Sequence, residues 1–166
     1  NNSIKAKIIT IGDELLLGQV VNTNASWLGE QLNLNGFQLE SVLTVGDGEK
    51  DIMKVLCSCQ DTNIVIITGG LGPTADDITK PTLCKFFDTE LILNNDALEN
   101  INEIFKLRGY VMTERNRLQA FIPKSCTYIP NRFGTAPCMW FEKDETVYIS
   151  LPGVPFEMKS IFKTEL

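Results

Sequence analysis

The chain has 166 residues, of which 43% are hydrophobic and 22% charged, and these values are typical of one globular domain. The formal net charge is −6 and no basic run is present, which argues against nucleic acid as a partner, because phosphate binding needs concentrated positive charge. No apolar run approaches the roughly 18 residues of a membrane span, and no N-terminal signal peptide is evident. We therefore expect a cytoplasmic protein with no membrane partner.

Histidine is absent, and the five cysteines form no Cys-x-x-Cys pair. The lack of histidine removes Ser-His-Asp and Cys-His catalysis, and the cysteine spacing makes a structural zinc site a poor interpretation. An odd number of cysteines is typical of free thiols in a reducing compartment. Any catalysis must therefore be carried out by carboxylates, hydroxyl groups, lysine or a metal held by oxygen ligands.

Strands and helices alternate along the first half of the chain. Hydrophobic periodicity predicts strands over 5–11, 37–45 and 63–68, with helices over 22–36, about 49–60 and about 79–87. A helix over 95–108, a short polar helical turn over 113–121, a hairpin over 138–151 with its tip at 143–145 and a closing helix follow. The alternation predicts an α/β fold with a parallel sheet covered on both faces and a late antiparallel addition.

Glycine and acidic residues stand together at four predicted strand ends. Ligands of open α/β sheets bind beyond the carboxyl ends of the strands, so we expect one site there. The glycines let a ligand approach backbone N–H groups, and such groups suit a phosphate, which we place on Gly69, Gly70 and Gly72. Each loop taken alone could be a simple tight turn, but the occurrence of glycine with an acid at all four strand ends favours a binding site. The four strand-end segments are 12–14, 46–47, 68–77 and 152–157.

Each acid also has a structural explanation. Asp76 and Asp77 precede a predicted helix and could complement its dipole, and Asp47 between two glycines is typical of a turn. The loops contain neither Gly-x-Gly-x-x-Gly nor a P-loop motif. We therefore expect no NAD, flavin or haem cofactor. Arg115 and Arg117 are candidates for phosphate contacts.

Six segments resemble the N-terminal domain of the competence/damage-inducible CinA family: GDELLLGQVVNTNASWL, TVGD, TGGLGPTADDITK, RNRLQA, GTAP and LPGVPFEM. The resemblance spans nearly the whole chain. It implies a three-layer αβα domain over 1–166 with a mostly parallel mixed sheet, the molybdopterin-binding fold also found in MogA, MoaB and MoeA. It also implies a homo-oligomer, and a C-terminal nicotinamide mononucleotide deamidase domain that this chain lacks, so we expect a truncated chain.

The same resemblance implies metal-dependent hydrolysis of ADP-ribose to AMP and ribose 5-phosphate. It implies that the loops around Asp13, Asp47 and Asp77 form one pocket, and that acids matching Asp47 and Asp77 are essential. Our hypothesis places Mg²⁺ or a similar divalent ion among these three acids, with K⁺ as a further candidate ion. Asp77 or Glu157 would orient or deprotonate the attacking water, with Asp47 also in the catalytic set. The expected substrate-binding residues are Gly12, Asn22, Thr68, Gly69, Gly70, Gly72, Pro73, Thr74, Asn116, Gly134, Pro152 and Gly153.

Two other functions are compatible with the same features. One is a molybdopterin-binding or adenylyl-transferring module, and the other is a non-catalytic binding or oligomerisation domain. The pairing of LPGVPFEM with NTN follows CinA rather than MogA and favours hydrolysis. One position departs from the family pattern, because Cys138 follows Pro137 where the family usually has glycine, which would alter the pocket if that glycine approaches the ligand.

Overall fold

A six-stranded mixed sheet forms the centre of the molecule in this computed structural model, which describes residues 3–12, 23–71 and 78–166. The described strands, in chain order, are β1 (Ile4–Ile11), β2 (Phe37–Val45), β3 (Ile64–Thr68), β4 (Leu91–Leu93), β5 (Phe121–Pro123), β6 (Thr127–Ile129), β7 (Cys138–Lys143) and β8 (Thr146–Leu151). The sheet order is β2-β1-β3-β8-β7-β6, while β4 and β5 form a separate antiparallel pair.

Four neighbouring strands of the sheet run in the same direction. β1 pairs in parallel with β2 and β3, and β3 pairs in parallel with β8. β7 and β6 then add antiparallel neighbours at one side. The sheet is therefore mixed but mostly parallel, as predicted, and the carboxyl ends of β2, β1, β3 and β8 lie along one edge.

Helices cover both faces of the sheet. In chain order they are α1 (Thr23–Leu34), α2 (Glu49–Ser58), α3 (Thr79–Phe86), α4 (Asn95–Arg108), α5 (Glu114–Arg117), which continues into a 3₁₀ turn over Leu118–Ala120, and α6 (Pro155–Glu165). None of the described helices is long and apolar enough to cross a bilayer.

The core has one layer on each face of the sheet because successive side chains of a strand point in opposite directions. Ile8 of β1 packs in a cluster with residues of α1 and α6, whereas Ile9 packs in a second cluster with residues of α2 and α3. Both isoleucines are fully buried. This arrangement confirms the three-layer αβα fold and explains why β3 shows no polar alternation.

Helix α4 shows how local sequence sets an element that reaches the site. The Asn94 side chain accepts a hydrogen bond from the Ala97 N–H at 2.9 Å, and Gly109 ends the helix with φ 69°. Ala97 and Ile101 are buried in a satellite core with Ala120, and Ile104 is also buried. The helix therefore begins and ends where the sequence predicts, and its last residue is Arg108.

The main differences from the predicted elements are small. α2 ends at Ser58 rather than near residue 60, and α1 ends at Leu34 rather than residue 36. The three-residue strands β4, β5 and β6 were not predicted. Three residues are too few to show a period of two, so pairing with a distant partner decides these strands.

Candidate functional site

A cavity of about 580 Å³ lies beyond the carboxyl ends of β1, β3 and β8. Its lining includes Ile11, Gly70 and Gly153, which end or follow these three strands. The ends meet because the strands are parallel neighbours in the sheet. A cavity of this size and position is typical of small-molecule sites in open α/β sheets.

The loop after β3 packs so closely that it requires glycine. Gly69 and Gly70 have φ of 94° and 70°. A Cβ added to Gly69 would lie 2.3 Å from the carbonyl oxygen of Ile11, and one added to Gly70 would lie 2.0 Å from Thr79 Oγ1. The Gly69 N–H donates to the Leu151 carbonyl at 3.4 Å. These glycines therefore bring the strand ends together, and the N–H groups of Gly70 and Leu71 have no hydrogen-bond partner among the described residues.

Glu157 and Gly134 form a second close contact in the cavity wall. Both line the cavity, and the three heavy atoms nearest to a Cβ added at Gly134 all belong to the Glu157 carboxyl group, at 1.9, 2.4 and 2.9 Å. Glu157 lies in the first turn of α6. The carboxylate thus occupies the space that any larger residue at position 134 would need.

Asn131 holds this carboxylate in place. Its buried side chain donates through Nδ2 to Glu157 Oε1 at 2.7 Å and to the Ala136 carbonyl at 2.8 Å. Its Oδ1 accepts from the Phe133 N–H at 3.2 Å. Asn100 of α4 in turn donates to the Asn131 carbonyl. Both N–H groups and the oxygen of the Asn131 amide thus have partners, which fixes the 131–137 loop and Glu157 relative to each other.

Arg108 brings positive charge to the cavity. Its Nη2 donates to the Phe133 carbonyl at 2.9 Å, and both residues line the cavity. Glu157 and Arg108 are the charged side chains that the described lining contributes. The described cavity therefore combines one carboxylate, one guanidinium and glycine-rich backbone.

Two buried polar groups near the β3 loop lack a complete set of partners. Gln119 lines the cavity and donates through Nε2 to the Leu71 carbonyl at 2.8 Å, which fixes its amide orientation. Within the described residues, Gln119 Oε1 and Thr79 Oγ1 have no hydrogen-bond partner. Unpaired buried oxygens are uncommon in folded proteins and occur most often where a ligand or water completes the site.

The predicted site residues divide into three groups. Gly69, Gly70, Gly134, Pro152, Gly153 and Glu157 line the cavity together. Four others are described but do not line it: Gly12, Asp47, Thr68 and Asn116. The rest lie outside the described residues: Asp13, Asn22, Gly72, Pro73, Thr74 and Asp77.

Several residues have a different role from the one expected. Asn116 forms a capping box with Thr113 at the start of α5, so its side chain serves the helix. Arg117 approaches Glu114 and the ring of Phe121 rather than the cavity. Cys138 is fully buried in the core between the sheet, α1 and α6, and burial raises the pKa of its thiol. The departure from the family glycine at position 138 therefore lies in the core and not in the cavity wall.

The described residues do not form a metal site by themselves. Divalent cations such as Mg²⁺ require oxygen ligands, and Glu157 is the carboxylate that the described lining supplies. No group of three His, Cys, Asp or Glu side chains that could hold a metal occurs among the described residues. Asp47, at the end of β2, does not line the cavity. A cation here would therefore need oxygen ligands from outside the described residues.

Sequence reasoning missed Asn131, Arg108 and Phe133. Arg108 and Phe133 are separated by 25 residues and Asn131 and Glu157 by 26, so no local spacing links them. Gln119 lies within the RNRLQA segment, but nothing in the adjacent sequence indicated that its side chain would line a cavity. The one available indication was that Asn131 lies three residues before the GTAP segment, which begins with Gly134.

Comparison with known proteins decides the family. The family described as "probable molybdopterin binding domain" matches residues 7–166 of this chain. The chain belongs to this family. The crystal structure of CinA from Thermoplasma acidophilum is 36% identical and superimposes with a TM-score of 0.87, covering 98% of this chain and 96% of that one. This chain is therefore a CinA-family domain.

Other relatives define the extent of the similarity. A CinA-like protein of Cytophaga hutchinsonii is 50% identical over 162 residues, which cover 97% of this chain and 39% of that protein. The chain thus spans about two fifths of that relative's length. The tungsten cofactor synthesizing protein MoaB from Pyrococcus furiosus superimposes with a TM-score of 0.64 at 20% identity, covering 99% of this chain and 93% of that one. At that identity the likeness shows the shared fold alone.

Proposed function

We propose that this CinA-family domain binds a nucleotide pyrophosphate and hydrolyses ADP-ribose to AMP and ribose 5-phosphate. The observation that supports the proposal is the position of Glu157, which is held against Gly134 in a cavity that also contains Arg108 and the Gly70 loop. The CinA resemblance supplies the substrate, and the cavity supplies groups suited to an anion and to a water nucleophile.

Glu157 is the residue best placed to act on water. Asn131 donates to Oε1 at 2.7 Å, and this contact fixes the carboxylate while Oε2 has no partner among the described residues. A positioned carboxylate can accept a proton from water as the water attacks phosphorus. The attack breaks the bond between phosphorus and the bridging oxygen, and the leaving phosphate departs with that oxygen.

Arg108 and the Gly70 N–H are suited to the phosphate groups. Arg108 uses Nη2 on the Phe133 carbonyl, which orients the guanidinium and leaves other N–H groups for an anion. Backbone N–H groups of a glycine loop give further donors at short range. Together these groups would hold the pyrophosphate while its negative charge increases in the transition state.

The family resemblance also suggests a divalent cation, which would need Asp13 and Asp77 in addition to the described residues. When bound, such an ion neutralises charge on the pyrophosphate. In this proposal Glu157 transfers the proton, and Arg108 and the Gly70 N–H bind the phosphates.

The direct test is release of AMP from ADP-ribose by the purified chain with added Mg²⁺ or Mn²⁺. We expect Glu157→Gln and Asp77→Asn to lose at least 100-fold in turnover, a typical loss for a general base. Glu165→Gln, an exposed acid on the same helix, is the matched control and should retain activity. Normal turnover by Glu157→Gln would remove its assigned role, and absence of AMP release with every divalent cation would refute the hydrolase proposal.

A second candidate is a molybdopterin-binding module, a function that agrees with the description of the matching family. The same cavity would accept the phosphate of a pterin ligand. Titration calorimetry with ADP-ribose and with molybdopterin separates the two functions, because the preferred ligand should bind at least tenfold more tightly.

We also propose that the chain forms a homo-oligomer, which sedimentation of the purified chain tests. Binding without turnover would indicate the third possibility, a non-catalytic domain.

A further inference from the structure

Two phenylalanines at the cavity rim are unusually open to solvent. Phe133 is 46% exposed and lines the cavity, and Phe156 is 64% exposed in the first turn of α6. Their ring centroids lie 4.8 Å apart with an interplanar angle of 74°. Exposed aromatic side chains grouped at the mouth of a polar cavity mark a binding surface rather than a part of the core.

The backbone of Phe133 is fixed although it lies in a loop. Its N–H donates to Asn131 Oδ1 at 3.2 Å, and its carbonyl accepts from Arg108 at 2.9 Å. The ring also packs edge-to-face against Phe156. Edge-to-face packing leaves ring surface uncovered, so the structure presents an aromatic face in a set position beside a guanidinium.

We propose that the Phe133–Phe156 pair is a stacking platform for the nucleobase of a nucleotide whose phosphates lie in the adjoining cavity. This inference rests on the proposed function, because it assigns the base of the proposed nucleotide to a part of the site. Stacking on an aromatic ring recognises any base through its π face. Arg108, bonded to the Phe133 carbonyl, lies where the platform meets the anion-binding part of the cavity.

The 131–137 loop positions both the Glu157 carboxylate and the aromatic platform. Asn131 holds Glu157 through Nδ2 and Phe133 through Oδ1, so one buried amide sets both the carboxylate and the platform. Gly134, directly after Phe133, leaves room for the carboxylate. The distance between base and reacting phosphorus would then be set by a single rigid loop, which would favour a nucleotide over a phosphosugar lacking a base.

The test compares AMP with ribose 5-phosphate, which lacks the base, by titration calorimetry on the full chain. The variants are Phe133→Leu and Phe156→Leu, which keep apolar volume but remove the ring. Tyr110→Leu is the matched control because Tyr110 is also 64% exposed, but its ring packs against Phe105 rather than against either ring of the platform. We expect the two Phe variants to weaken AMP binding roughly 5-fold to 100-fold and to leave ribose 5-phosphate binding unchanged.

Four other outcomes would refute the stacking platform, and each would give a different binding result. If the unaltered chain binds AMP no more tightly than ribose 5-phosphate, the platform is wrong while the phosphate site stands. An equal loss for both ligands in the Phe variants would assign the rings a purely structural role. If neither ligand binds the unaltered chain, the proposed function fails and the platform fails with it. If the variants change only the oligomeric state, seen by sedimentation, the rings are a contact between copies of the chain.

Discussion

Substitution of Gly134 by alanine tests the central contact of the site. The backbone at Gly134 does not have the positive φ that disfavours alanine, so the main obstacle is the Glu157 carboxyl group, 1.9 Å from the new Cβ. That group is the end of a flexible side chain and can move away. Its movement breaks the Asn131–Glu157 hydrogen bond, and we expect the free energy of unfolding to fall by about 1–2 kcal/mol.

This magnitude follows from the nature of the lost bond. A hydrogen bond to a charged group contributes about 1.5–3 kcal/mol, and the lower part of that range applies because Glu157 is only half-buried and regains water when displaced. Urea unfolding followed by circular dichroism measures the change. With a slope of about 2 kcal/mol per M, the midpoint should fall by roughly 0.5–1 M.

A double-mutant cycle isolates the cause. In a Glu157→Ala background the carboxyl group is gone, so Gly134→Ala should be neutral or should stabilise by up to about 1 kcal/mol through the lower entropy of the unfolded chain. Glu157→Gln is the matched background, since it keeps the volume of the side chain and should preserve the penalty. Equal destabilisation by Gly134→Ala in the unaltered chain and in Glu157→Ala would refute the reasoning.

Three further predictions address other parts of the molecule. Glu145 at φ 69° follows Asp144 at φ 49° in the two-residue β7–β8 turn, so Glu145→Gly should raise the free energy of unfolding by about 1 kcal/mol in urea titrations. Cys57 is the exposed thiol, so a disulfide reagent should modify one thiol quickly, and Cys57→Ser should remove that phase. Burial raises the pKa of Tyr128 and of Tyr148 to about 12, so the ultraviolet absorbance of native protein should show both ionising near pH 12.

The last of these predictions has a consequence for stability. Because the folded state holds the tyrosine protons more tightly than the unfolded chain, the associated stabilisation is complete below about pH 10 and is lost as the pH rises toward 12. A free energy of unfolding that stays constant between pH 10 and pH 12 would contradict this expectation.

For the thiols, rapid modification of Cys126, whose pKa burial raises to about 12, would contradict the expected single fast phase. For the turn, unchanged stability in Glu145→Gly would show that the left-handed backbone carries no penalty there.

The sequence alone determined the layered fold, because its main evidence is local. The apolar run of β3 indicated a strand buried on both faces, and the spacing of apolar residues over 95–108 predicted the bounds of α4. A mostly parallel sheet then placed the ends of β1, β3 and β8 together, so a site at that edge followed from topology. The short pair β4–β5 could not be predicted, because each strand exists only through its partner.

The tertiary structure alone decided how the cavity wall is assembled. Sequence reasoning named Gly134 and Glu157, but their contact and the role of Asn131 depend on the packing of α6 against the 131–137 loop. The exposure of Phe133 was likewise decided by tertiary packing, although its residue type favours the core. The physical reason is range: helix and strand periods act over a few residues, whereas hydrogen bonds and steric contacts in the cavity join segments that meet only after the sheet has formed.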